Sequence, residues 1–211
     1  MQTATTQHFR SQPARITAGP AETPSRGTPN DHCRNGKARR RIGTLEKALA
    51  YRNDDVICKF LSLYELAYAE AENIFRETRR RLWMCAKLNS DSRAKGQEKG
   101  PRAAIERAMI AIDEMWHTFI LFTPDYTEFC LNHFGFYIHH VPTRQKEREQ
   151  IQQSFLNDTA SAVRQTREEV FAKYEYVYDL FGEDVFRKWF VEYPKKYAVG
   201  GLSEMYVGLA P

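Results

Sequence analysis

The chain has 211 residues, 42% of them hydrophobic and 13% aromatic, and a formal net charge of +4, enough for one domain whose core needs no disulfide or metal staple. Eight Lys/Arg against two acids give residues 1–43 a charge of +6, leaving −2 for residues 44–211, so the positive balance does not describe a basic nucleic-acid-binding fold. No run approaches the ~18–20 apolar residues of a membrane span, and the N-terminus lacks the apolar centre of a secretory signal.

Residues 1–43 are rich in Pro, Gly, Ser and Thr and poor in large apolar side chains, which predicts a disordered arm. The absence of an acid before Glu22 gives it a faint likeness to a mitochondrial transit peptide, opposed by its prolines and glycines. Lys37, Arg39, Arg40 and Arg41 close the arm and are its candidates for contact with phosphates or an acidic partner.

A helical domain is expected over residues 44–196. Thr44 caps a short first helix. Asn53, Asp54 and Asp55 supply a cap and an acidic first turn to a long second one reaching about Leu88, with apolar residues every three or four positions and room for one break. Pro101 starts a helix to Phe122, Thr123 and Pro124 serve as cap and first position of the next, and Gly135 ends it. Residues 136–138 are extended or loop. Charged residues 143–156 form a further helix, Asn157–Thr159 restart one that Gly182 stops, and a last helix runs from Glu183 to Tyr193, where Pro194 ends it. Residues 197–211 read as an irregular tail. Strand and hairpin signals are nearly absent. The fold class is all-α, an irregular bundle of about six to seven helices.

The segment from Asp113 to His140 carries four of the six histidines among aromatic residues. Ionisable groups in such a setting are costly unless paired, hydrogen-bonded or ligated. Asp113 and His117 are four apart, and Glu114 and His117 three apart, so both acids can lie beside one imidazole. Cys130 and His133 are three apart on the next helix, and His139 and His140 follow the Gly135 turn. Antiparallel packing of the two helices would gather Asp113, His117, Cys130 and His139 or His140 into a site for zinc or iron. Trp116, Tyr126, Glu114 and His133 would support it. The plainer expectation is a hydrogen-bonded junction locking helix to loop, with Asp113 on His117 or His139 on a backbone carbonyl.

The sequence Asp113-x-x-Trp116-His117-Thr118, followed by Leu121, Pro124, Tyr126, Cys130, Phe134-Gly135 and a histidine at 139 or 140, resembles the amino-terminal domain of plant glycine-rich domain proteins and their bacterial relatives. The resemblance covers about 28 residues. It implies an all-α domain with a site in this segment. Some plant members are linked to RNA. Where that family has a second histidine in Trp-His-Thr-His, this chain has Phe119, and its 11 glycines form no glycine-rich tail.

Three functions follow from these readings. One is a binding or interaction domain whose Trp-His, Cys and His-His cluster takes a metal ion or small ligand, with a protein or small-molecule partner. Another is a mono- or di-iron enzyme, for which Glu114-x-x-His117 is one half of a di-iron motif and Glu70, Glu72, Glu77, Glu128 and Glu169 are spare carboxylates. The third is weak nucleic-acid association through the arm. Cys130 with His133 as a nucleophile pair ranks below these, for want of an orienting third group. Cys33, Cys58, Cys85 and Cys130 form no Cys-x-x-Cys pair. They read as reduced thiols in a cytoplasmic setting.

Overall fold

Each helix start carries a local signal. Thr44 accepts the backbone N–H of Lys47 at 3.4 Å and opens α1 (Leu45–Ala50). Asn53 accepts from the N–H of Val56 at 3.1 Å and opens α2 (Asp54–Leu61), with Asp54 and Asp55 at the positive end of the helix. The computed structural model describes residues 42–94, 109–197, 202 and 205–207. The predicted arm over residues 1–41, with Lys37, Arg39, Arg40 and Arg41, lies outside the described residues, as does the predicted start at Pro101. Ile42 and Gly43, assigned to the arm on composition, instead pack on the domain. Gly43 donates its N–H to the His133 carbonyl at 2.6 Å and accepts from Trp83 Nε1 at 2.8 Å.

The long second helix breaks after Leu61 and resumes as α3 (Tyr68–Ala94). No glycine or proline causes the break. Residues 63–65 are held by the far end of the chain: Glu65 donates to the Met205 carbonyl at 2.7 Å and Val207 to the Leu63 carbonyl at 2.8 Å. Tyr64 and Tyr206 form an isolated antiparallel bridge, and the described residues contain no β-strand.

Next come α4 (Ile110–Leu121) and α5 (Thr123–Phe134). The cap of α5 is Phe122, one residue before the expected Thr123, and Gly135 ends the helix at φ 75 in the left-handed region. Then α6 (Gln145–Asn157) and α7 (Thr159–Phe181) form a hairpin, with Asp158 capping α7 through the N–H of Ser161. After Gly182, α8 (Glu183–Arg187), a π-helical turn (Lys188–Glu192) and α9 (Tyr193–Tyr197) run on continuously. The helix therefore passes through Pro194 instead of ending there. A helical proline withholds a hydrogen bond and collides with the carbonyl four residues back. The widened π turn directly before Pro194 absorbs both effects.

The core is aromatic and centred on Phe119. Its ring stands 5.2 Å from Phe75, 5.1 Å from Tyr126 and 5.4 Å from Phe129, edge-to-face or tilted, the favoured arrangements. Two buried charges are fully engaged. Glu77 accepts from Trp189 Nε1 at 2.9 Å and pairs with Arg80 at 2.9 Å and Lys188 at 3.2 Å. Arg79 donates to the carbonyls of Phe75, Leu49 and Tyr51, which ties α1 to α3. No helix among the described residues is long and apolar enough to cross a membrane.

Candidate functional site

Helix α4 divides its residues between two faces. Trp116 and Phe119 are buried, while Asp113, Glu114 and His117 lie toward the surface, His117 with 46% of its side chain exposed. The i, i+4 spacing brings His117 Nε2 to 4.0 Å from Asp113 Oδ2. The i, i+3 spacing brings His117 Nδ1 to 3.7 Å from Glu114 Oε1.

A buried relay delivers the loop to this face. Trp116 Nε1 donates to the Tyr126 hydroxyl at 2.9 Å, and Tyr126 donates in turn to the Ile138 carbonyl at 2.7 Å. Burial raises the Tyr126 hydroxyl far above its ordinary pKa, which keeps it a donor. With Ile138 fixed, His140 lands beside α4. Its Nε2 lies 3.0 Å from Asp113 Oδ1, and its ring packs 4.4 Å from Trp116 and 4.5 Å from His117. The Arg81 guanidinium stands 5.4 Å from the same indole.

The outcome is a group of three. Ligand atoms of Asp113, His117 and His140 all lie within 4.8 Å of one another, the one such group among the described residues. His139 and Cys130 stand outside it. His139 is exposed and its ring meets Tyr137 at 4.7 Å. Successive side chains on an extended segment point to opposite sides, so one of the His-His pair joins and the other leaves. Cys130 is fully buried beside Tyr126, and burial pushes its thiol up. His133 packs on the rings of Phe129 and Tyr51 at 4.7 and 6.2 Å. Burial first, then the Arg79 and Lys47 charges, lower its pKa. Glu70, Glu72, Glu77, Glu128 and Glu169 are engaged elsewhere, with Lys196, Arg52, Lys188, Asn132 and Gln165 respectively.

Tyr64 is the residue that sequence reasoning missed. Its hydroxyl donates to Glu114 Oε2 at 3.1 Å from fifty positions away. It lines a cleft of about 200 Å³ together with Ile110, Glu114, Leu202 and Tyr206. Tyr64 reads in sequence as one more core residue on an apolar face, and no local signal distinguishes it.

The donor set fits a divalent transition metal. Two imidazoles and a carboxylate suit zinc or ferrous iron, and the exposed side of the group leaves positions open. Two ligands of a tetrahedral zinc lie ~3.3 Å apart. His140 Nε2 lies 3.0 Å from Asp113 Oδ1, a hydrogen-bond distance, and His117 Nε2 lies 4.0 Å from the other carboxylate oxygen, Oδ2, so a shared ion requires the exposed His117 to turn inward.

A family model described as UCP032817-like matches residues 97–170. That stretch holds α4, α5, α6 and the first half of α7, so the chain is similar to this family over the site and the start of the hairpin. The match corrects the likeness to glycine-rich domain proteins: the same stretch answers to a different family. Phe119 stands where the glycine-rich family has its second histidine. It is fully buried at the centre of the aromatic core, facing away from His117, so a histidine there could not serve this group. No curated protein and no solved structure matches the chain.

Proposed function

We propose that the chain is a helical binding domain that takes one divalent transition metal ion, zinc or ferrous iron, on Asp113, His117 and His140. The observation that carries this reading is the convergence of three ligand atoms within 4.8 Å from a helix and a separate loop. Glu114, steadied by Tyr64, is the next donor to the group or the acceptor for a proton from a metal-bound water. The neighbouring cleft then receives a small ligand beside the ion. A mononuclear iron enzyme is the second reading, favoured by the two-histidine, one-carboxylate set with open positions. A reducing, cytoplasmic setting belongs to the same reading, supported by the irregular spacing of Cys33, Cys58, Cys85 and Cys130 in the sequence.

Calorimetric titration of the metal-stripped protein with zinc, and with ferrous iron under anaerobic conditions, tests the site. One ion per chain is expected, with His117→Ala and His140→Ala each abolishing the heat of binding. Tyr64→Phe should weaken binding less than either, since its hydroxyl reaches Glu114 and none of the three ligands. Native protein that folds and gives no heat with either ion would remove both readings.

A further inference from the structure

Helices α6 and α7 contribute little to the core. No residue of α6 is buried, and α7 buries Ala162 and Val177 alone. Instead, α7 turns apolar side chains outward: Val163 is 51% exposed, Phe171 56% and Tyr178 49%. Their spacings of eight and seven residues put them on one helix face, a stripe ~22 Å long at 1.5 Å per residue. The Arg167 guanidinium covers the Phe171 ring at 5.3 Å, and Phe186 widens the far end, 5.9 Å from Tyr178.

The charges along α7 are asymmetric. From Thr159 to Arg167 it carries Arg164 and Arg167 and no acid. From 168 to 181 it carries Glu168, Glu169, Glu175 and Asp179 against Lys173 alone. At the helical turn of 100° per residue, Arg164, Glu168, Glu175 and Asp179 share one flank of the stripe and Arg167 lies on its midline, so a reversed copy sets two arginines against Glu175 and Asp179, with Glu168 the one acid that comes near an acid. Such a helix complements itself when reversed, whereas a parallel copy would set acid against acid.

We propose that this face binds a second copy of the chain, α7 against α7, antiparallel about a two-fold axis near residues 170 and 171. That axis opposes Val163 to Tyr178 of the second copy. It also brings Arg164 between Glu175 and Asp179 of the second copy, and symmetry makes each contact twice. The proposal is independent of the metal reading.

Sedimentation equilibrium of the full chain at micromolar concentration tests it. The expected mass is that of two chains. Phe171→Glu should return it to one chain with unchanged helical circular dichroism, since the side chain is exposed. Arg164→Glu should raise the dissociation constant by about tenfold or more through the paired contact. Adding Glu175→Arg and Asp179→Arg to Arg164→Glu should restore pairing. A native chain that remains single overturns the proposal and leaves the face to a different protein. A double mass untouched by Phe171→Glu and Arg164→Glu places the contact elsewhere and overturns it equally. Failure of the triple variant to recover overturns the antiparallel register.

Discussion

The α4–α5 pair and the α6–α7 hairpin put several of their aromatic residues to opposite use. In α4 and α5, Phe119, Tyr126, Phe129 and Phe134 are all buried, and the polar atoms among them are paired through the Trp116–Tyr126–Ile138 relay. In α7, Phe171 and Tyr178 face outward. Stability should therefore reside in the first region, and response to concentration in the second.

The sharpest way to break this contrast is to make the same change in each region. Phe119→Ala should lower unfolding free energy by ~3–5 kcal/mol in urea titration, as loss of a buried ring does. Phe171→Ala should stay within ~0.5 kcal/mol at concentrations where the chain is single. Equal losses would erase the distinction. Glu77→Ala should cost ~3–5 kcal/mol, because it strands a buried indole N–H and the Lys188 and Arg80 charges. Exposed Glu169→Ala, read in the same titration, should be nearly silent.

A smaller loss is expected at the relay. Tyr126→Phe leaves Trp116 Nε1 and the Ile138 carbonyl without their partner, at ~1–3 kcal/mol. It should also release the loop, so amide exchange at residues 138–140 should speed up while that of α6 and α7 stays constant. The smallest effect concerns pH. The folded-state pKa of His133 is below its ordinary 6.5, so the unfolded chain binds the proton more readily. Stability contributed by neutral His133 is intact above pH 6.5 and declines as the pH falls through that value. His133→Gln should flatten that part of the stability profile, and an unchanged slope would assign it to other groups.

Much of the helix plan was legible in the sequence, since caps and breakers act locally: Thr44, Asn53, Gly135, Asp158 and Gly182 all mark ends. One break in the long second helix was expected from its length, but its place at residues 62–67 was not legible, because that region pairs with residues 205–207, and the passage through Pro194 depends on a widened turn that no residue type announces. The site was legible to the same extent. Asp113 and His117 follow from helical spacing. The choice of His140 over His139 depends on which way the loop is clipped, and a tertiary hydrogen bond decides that. Cys130 has helical spacing to its neighbours, but its face of α5 is the core face. Tyr64 is beyond local reasoning because its partner is fifty positions away.

The bridge between Tyr64 and Tyr206 carries a consequence for the order of assembly. During synthesis the helices up to α5 and the loop to His140, which together hold the three-residue group, leave the ribosome well before residues 202–207. The wall of the cleft made by Leu202 and Tyr206 comes from residues that follow much later in the sequence. A nascent chain halted before residue 202 would thus present Asp113, His117 and His140 without the cleft beside them.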